Sequence, residues 1–309
     1  MKKRQAEYEK INELSFAHTA NVSVLASINV NEKTKLAQVS DFIDQPINES
    51  LNLFQSHGLH DLDAANLMNR VDSKFILPIS FLPDLLVQLN EHYSVLEINN
   101  KRISTYHNQY FDTPQMALYQ DHHNGKLNRY KVRRRRYVDT NTSFLEVKLK
   151  NNKKRTIKSR IKLTGQSAEY ARCATFIDEQ MQINVGNMNL THLDISQQGG
   201  YKRIALANEA QAERLTLDFD LWYQDRRGNN KVKLPGFFIA ELKQNKKSKR
   251  SPFYQLMSAN HIFPTSFSKY CIGCALLYKS SIKSNRFKSI LSRIEKFNQI
   301  KPSTFLKSN

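Results

Sequence analysis

The run RYKVRRRRY, from Arg129 to Tyr137, constrains this chain more than any other feature. In extended backbone successive side chains point to opposite faces. Alternation therefore puts Arg129, Lys131, Arg133, Arg135 and Tyr137 on one side, and Tyr130, Val132, Arg134 and Arg136 on the other. The first face is a cationic ladder. Two segments downstream repeat the design. In SFLEVKLK, from Ser143 to Lys150, Leu145, Val147 and Leu149 share an apolar face, opposite Phe144, Glu146, Lys148 and Lys150. In RTIKSRIKL, Ile157, Ile161 and Leu163 turn toward a core, and Thr156, Lys158, Arg160 and Lys162 lie on the reverse side. Three neighbouring strands are thus expected to be apolar on one face and basic on the other.

Charge is concentrated where this pattern lies. The 309 residues carry a formal net charge of +19, yet residues 1–125 hold 10 basic against 15 acidic groups, and residues 163–242 hold 8 against 10. Residues 126–162 hold 15 against 2 and residues 243–309 hold 14 against 1, so two basic blocks account for the whole excess. Such blocks point to a polyanionic partner. With 40% hydrophobic residues the chain has enough apolar material for a real core.

Elsewhere the pattern is read as follows. Residues 1–60 form a polar extension, residues 61–280 the folded domain and residues 281–309 a basic tail. A strand begins at Arg70, with Arg70, Asp72, Lys74 and Ile76 on one side and Val71, Phe75 and Leu77 on the other. A helix over Ser80–Leu89 follows, with Ser80 as its cap and Pro83 in its first turn. STYHNQYFD, from Ser104 to Asp112, is a strand, and QDHHNGKLN a polar connection with an Asn-Gly turn. Ser167 to about Leu206 reads as helical or irregular. RLTLDFDLW returns to strand, with Leu215, Leu217, Phe219 and Leu221 opposite Arg214, Thr216, Asp218, Asp220 and Trp222. In FFIAELKQ, Ile239, Glu241 and Lys243 share one face, and the segments on both sides of Pro264 read as helices. The expected class is α+β, an antiparallel β-barrel with flanking helices.

Like charges opposite one another on neighbouring strands destabilise a sheet. Arg133, Arg135, Lys148, Lys158 and Arg160 nevertheless fall on one face, and the acids interleaved with them, Asp72, Glu146, Asp218, Asp220 and Glu241, are too few to neutralise it. A ligand bearing several negative charges compensates that repulsion. If the sheet closes, the polar faces line a lumen and the apolar faces pack against helices outside, reversing the usual barrel arrangement. Guanidinium grips phosphate oxygens bidentately and ammonium serves as a movable point charge, so the lumen suits phosphate chains. Its carboxylates suit a divalent metal, Mn²⁺ or Mg²⁺, bridging phosphate oxygens.

Other chemistries are disfavoured. Cys271 and Cys274 form a C-x-x-C, but no second pair follows at zinc spacing, and the apolar flank CIGCALLY reads as two buried thiols. His122 and His123 read as turn residues rather than ligands, and Trp222 as a packing residue. No G-x-x-x-x-G-K-[ST] or G-x-G-x-x-G occurs, so nucleotide would be held by its phosphates and not by a P-loop or Rossmann site. No apolar run reaches the ~20 residues of a membrane span, and a cytoplasmic location is expected, with membrane association through a partner as a further option.

Taken together and in order, RVDSKF, YFDTP, LYQDHHNG, RYKVRRRRY, FLEVKLK, RTIKSRI, RLTLDFDL, IAELKQ and SKYC, between Asn66 and Tyr278, resemble the VTC domain, a polyphosphate polymerase domain similar to the triphosphate tunnel metalloenzymes. The resemblance implies a β-barrel tunnel open at both ends. It implies that Arg133, Arg135, Lys148 and Arg214 act in catalysis and that Arg70, Lys74, Lys158, Arg160 and Lys269 bind substrate phosphates. It makes Glu241 the metal-binding carboxylate, with Glu146 and Asp218 as helpers. Lys269 rests on the resemblance alone. Asp72 departs from it, because related tunnel enzymes carry Glu there.

The implied activity is metal-assisted transfer of the terminal phosphoryl group of ATP to a growing inorganic polyphosphate chain, which threads out of the tunnel. A metal-dependent triphosphatase is the alternative, and a non-catalytic polyphosphate or nucleic-acid binding module is a third reading, although no specific nucleic-acid motif is present. The tail NRFKSILSRIEKF carries an apolar stripe of Phe287, Ile290, Leu291 and Ile294. That stripe suits either docking on the barrel or contact with an anionic membrane surface or membrane-protein partner.

Overall fold

Strands form where the alternation is cleanest. In the computed structural model the strands are β1 (Ser56–His57), β2 (Val71–Pro78), β3 (Ser94–Leu96), β4 (Ser104–Asp112), β5 (Arg129–Tyr137), β6 (Thr142–Lys150), β7 (Thr156–Leu163), β8 (Asp194–Asn208), β9 (Glu213–Asp225), β10 (Lys231–Leu234) and β11 (Phe237–Gln244). The helices are α1 (Leu82–Leu89), α2 (Ala117–His123), α3 (Glu169–Gln182), α4 (Pro252–Ala259), α5 (Lys269–Leu277) and α6 (Lys288–Gln299). The structure describes residues 44–59, 61, 71–153, 155–165, 169–182 and 193–299. The chain divides into units 1–48 and 49–309, and the second is the subject below.

The strands form one sheet whose main path runs β2-β11-β9-β8-β4-β5-β6-β7, antiparallel at every step, with β10 on β9, β3 on β8 and β1 parallel to β3. This is the expected α+β, antiparallel class. Among the described residues no ladder joins β7 to β2. The sheet is nonetheless strongly curled. β2 and β5 are five places apart, which on a flat sheet means about 24 Å at a strand spacing of roughly 4.8 Å, yet the Lys74 carbonyl on β2 accepts from the amide of Thr265 at 2.7 Å and Lys131 on β5 donates to Ser268, three residues further on, at 2.8 Å.

The convex face is covered by helices over much of its area. Tyr130, Val132, Leu145, Val147 and Leu149 pack with Leu118 of α2 and Met181 of α3. Phe75 of β2 meets Phe253 of α4 edge-on at 5.3 Å. Ile157, expected to turn toward the core, is 43% exposed, because β7 is an edge strand and the cluster reaches only Ile161 and Leu163. The stripe of α6 packs inward. Ile294 is buried, with Phe287, Ile290 and Leu291 against the cluster of Ile76, Tyr106, Tyr201, Leu221, Ile239 and Ile272.

Several local expectations change. The helix after β2 is capped by Phe81 with Pro83 near its start, and Ser80 lies in a preceding 3-10 turn. QDHHNG is partly helical, because Asp112 accepts from the amides of Leu118 and Tyr119 at 2.8 and 2.9 Å and so anchors α2. The segment read as irregular contains β8, whose Gly199-Gly200 and register shift before Lys202 hide its alternation. Gly200 is required where it is, since a Cβ there would sit 2.9 Å from the carbonyl of Tyr106 and strike the Trp222 indole.

Candidate functional site

The concave face gathers the cations in rows that follow from the strand register. Lys74 lies opposite Glu241, and Lys243 lies between Asp72 and Arg214. Arg203 of β8 faces Asp218 of β9. Arg133 lies opposite Glu146, which lies opposite Arg160, while Lys148 lies between Lys131 and Lys158.

Three carboxylates on this face each hold two cations. Glu146 is fully buried; its Oε2 accepts from Arg133 Nε at 2.6 Å, and its Oε1 pairs with Lys158 Nζ at 2.6 Å. Asp218 is 1% exposed. Arg203 donates to it bidentately, Nε to Oδ1 at 2.5 Å and Nη2 to Oδ2 at 2.7 Å, and Lys269 Nζ donates to Oδ2. Glu241 pairs with Lys74 at 2.8 Å and Lys243 at 3.2 Å. Burial alone would raise all three carboxyl pKa values, but the cations outweigh it and hold each well below the usual carboxylate range.

The remaining cations are held in other ways. Lys148 has no carboxylate partner among the described residues, and the Arg133 guanidinium, together with burial, pushes its pKa well below the usual lysine value. Burial lowers Lys131, whose Nζ donates to Ser268 Oγ at 2.8 Å. Arg135 is buried and donates to Asn108 Oδ1 at 3.3 Å and to the Tyr201 hydroxyl at 3.2 Å. Tyr106 and Tyr201 stack at 5.1 Å, with Arg203 beside both rings and Lys269 Nζ 4.4 Å from the Tyr201 centroid. Arg160 lies over Phe144 at the more exposed β7 edge. Arg214 stands at the end of the row beside Lys243.

Helix α5 lies across the concave face. Ser268 caps it and contacts Lys131 on β5, Lys269 reaches Asp218 on β9, Tyr270 donates to Asp112 on β4, and Gln197 on β8 donates to the Tyr270 carbonyl at 2.7 Å. Six of the nine residues of α5, Tyr270 to Ala275, are buried, as befits a helix apolar all round. It carries both thiols of the C-x-x-C, Cys271 and Cys274, which are buried as expected.

The structure brings together Lys74, Arg133, Arg135, Lys148, Lys158, Arg160, Arg214, Lys269, Glu146, Asp218 and Glu241; Arg70 lies outside the described residues. Sequence reasoning missed Arg203, because β8 was not read as a strand, and left out Lys243, although its position two residues after Glu241 already placed it on the same face. Asp220 does not join the face: its φ of 52° and the neighbouring register shift break the alternation, turning it outward, 3.8 Å from Lys202, and sending Leu221 to the inner apolar cluster. His122 donates to the Tyr130 carbonyl at 2.9 Å and accepts from Arg129, so it is not available as a ligand. Trp222 lies beside Lys231 and His107, away from the cations of the site. A cavity of about 540 Å³ at the other end of α5, lined by Met116, Tyr119, Arg226 and Tyr278, contains none of the site residues.

The fit of a divalent metal differs among the carboxylates. No three His, Cys, Asp or Glu side chains among the described residues form a metal cage. Glu146 and Asp218, 0% and 1% exposed, are each held by a guanidinium as well as a lysine and do not fit. Glu241, 18% exposed between two lysines, fits an ion carried mainly by substrate phosphates, which needs only one or two protein carboxylates.

No curated protein matches the chain. Among solved structures, a candidate adenylyl cyclase from Hippeastrum, described as having a dominant triphosphatase activity, is 13% identical over 70% of this chain and 98% of that one, with a TM-score of 0.43. A candidate adenylate cyclase from Vibrio parahaemolyticus is 13% identical over 66% and 97%, with a TM-score of 0.37. A conserved hypothetical protein from Pyrococcus furiosus is 12% identical over 64% and 98%, with a TM-score of 0.36. The family model for the VTC domain matches residues 69–278, more than half of the sequence and the whole of the curled sheet from β2 to α5, and the chain belongs to the VTC-domain family.

Proposed function

We propose that this protein is a polyphosphate polymerase that transfers the terminal phosphoryl group of ATP to an inorganic polyphosphate chain on its concave face. The observation that carries the reading is the gathering of cations from seven strands and α5 on one face where, among the described residues, Glu146, Asp218 and Glu241 are each already shared by two cations. Phosphoryl transfer needs in-line positioning and charge stabilisation more than a dedicated nucleophile. The terminal oxygen of polyphosphate is already anionic, so it attacks the γ-phosphorus of ATP without a general base, and ADP leaves with the electron pair of the broken P–O bond.

In this reading Arg133, Arg135, Lys148 and Arg214, joined by Arg203, hold the reacting phosphates, and Lys74, Lys158, Arg160 and Lys269 bind the flanking ones. Arg70 is assigned to the same role from the family pattern. Glu241 would hold a divalent ion brought by the substrate, which would supply neutralisation of developing charge. Arg135 and Tyr201 form a rigid side of the site, and the lysines supply adaptable charge.

The triphosphatase alternative draws on α5, whose contacts with β5, β8 and β9 place it across the concave face along which a long product would have to extend. Incubating the purified protein with ATP and Mn²⁺ separates the two, a long chain supporting the polymerase and free phosphate alone the triphosphatase. Arg133→Ala and Lys148→Ala are each expected to abolish chain synthesis with an unchanged circular dichroism spectrum; retained synthesis overturns the assignment.

A further inference from the structure

The same arrangement recurs three times on the concave face. A carboxylate sits between a well-covered cation and a more exposed lysine, contributed by its own strand, a neighbouring strand or α5. Around Glu146 the side chains of Arg133 and Lys158 are 13% and 35% exposed. Around Asp218 those of Arg203 and Lys269 are 14% and 17% exposed, and around Glu241 those of Lys243 and Lys74 are 15% and 30% exposed. The carboxylates of the first two groups are 0% and 1% exposed, and each spends both oxygens on its cations. A divalent ion at Asp218 would have to displace the Arg203 guanidinium held at 2.5–2.7 Å, and one at Glu146 Oε1 would have to displace Lys158 and stand beside Arg133 and Arg135, whose charges hold that carboxyl pKa down.

We infer that Glu146 and Asp218 are positioning residues which hold Arg133 and Arg203 at fixed angles for phosphate, and from which Lys158 and Lys269 swing to meet it, rather than metal ligands. This rests on the phosphate-binding reading above. The physical argument concerns what each partner can do when a phosphate arrives. A guanidinium has five donors in a rigid fork, so it keeps a carboxylate on one edge and offers the other edge to the ligand. A lysine has a flexible stem and a compact charge, so it exchanges a carboxylate oxygen for a phosphate oxygen at little cost in geometry. The carboxylates also keep the cations of this face from repelling each other apart. Without Glu146, Arg133 on β5 and Lys148 on β6 would face Lys158 on β7 with no carboxylate paired to any of them among the described residues.

The test measures binding of inorganic tripolyphosphate by calorimetry, in EDTA and again in MnCl₂, to the full chain and to Glu146→Gln, Asp218→Asn and Glu241→Gln. Removing one negative charge by itself would tighten binding of a polyanion, so a loss of affinity reports on geometry and not on charge. Glu146→Gln and Asp218→Asn are each expected to weaken tripolyphosphate binding at least tenfold in EDTA, by the same factor in Mn²⁺, and to leave the gain in affinity on adding Mn²⁺ within twofold of the unaltered chain. Glu241→Gln is expected to lose most of that gain. Unchanged or tighter binding in EDTA by Glu146→Gln and Asp218→Asn, or loss of their Mn²⁺-dependent gain, overturns the inference. If either variant fails to fold, Lys158→Ala at the exposed arm replaces it: a weakening below threefold overturns the role of the arm. Failure of the unaltered chain to bind tripolyphosphate in both conditions overturns the phosphate-binding reading, and the inference with it.

Discussion

A buried carboxylate between two cations makes stability depend on acid. The folded-state pKa values of Glu146 and Asp218 lie below their ordinary values of 4.5 and 3.8. Their pairing therefore contributes stability that is fully present above those ordinary values and is lost as the pH falls through them toward the depressed ones. Denaturant titrations between pH 6 and pH 2 are expected to show this loss, with a shallower slope in Asp218→Asn. Lys148 works in the opposite sense. Its folded-state pKa is depressed, so the unfolded chain holds the proton more readily, and the charged side chain opposes folding at neutral pH. Lys148→Met is expected to raise the unfolding free energy by about 0.5–2 kcal/mol while removing phosphate binding, a trade of stability for activity at one position. An unchanged or lowered denaturation midpoint would show that the charge is relieved by another route.

Among the elements, α5 carries the most constraint. Its first residue, Lys269, reaches Asp218, and its middle lies against β8 and β9 at Gly273. A Cβ at Gly273 would come within 2.6 Å of the Tyr223 ring and strike Gln197 Oε1. Gly273→Ala is therefore expected to push the helix off the sheet, at a cost of about 1–3 kcal/mol for overpacking. Because Lys269 moves with the helix, tripolyphosphate affinity should fall although no site residue has been changed. A variant with native affinity and native thermal stability would show that the helix adjusts without moving its first turn. The strand β8 makes a related point, since its two glycines weaken the local strand signal yet admit the Trp222 ring and the close approach of β4.

For the whole molecule, the two basic blocks separate into different roles. The block at 126–162 lies on β5, β6 and β7, with its alternate residues on the concave face. In the block from 243 onward Lys243 and Lys269 join the concave face, whereas Lys288, Arg293 and Lys296 lie on α6, which is held by apolar contacts. Ile294 is 2% exposed, and burial of a side chain of that size contributes about 1.5–3 kcal/mol. Ending the chain after Tyr278 is thus expected to lower the thermal midpoint markedly and to expose the cluster of Ile76, Tyr106 and Leu221 to a hydrophobic dye. A tail that only attracted anions would be removable without that effect. Among the described residues no helix is long and apolar enough to cross a membrane.

Much of this architecture could be read from one dimension. The limits of β4, β5 and β11, the basic and apolar faces of β5 and β6, and the helical position of Lys269 follow from alternation, turn residues and the family pattern, because a period of two is a local property of extended backbone. The helix α2 was not legible, since it is only seven residues long and is anchored by Asp112, which precedes it. β8 and with it Arg203 were hidden by glycines whose purpose is a contact with Trp222 on another strand. The sequence by itself determined which charges share a face. Only the tertiary structure decided which acid neutralises which base, because Lys158 meets Glu146, Lys269 meets Asp218 and Lys74 meets Glu241 through strand pairing, curl and the placement of α5, and none of these is a property of neighbours in the chain.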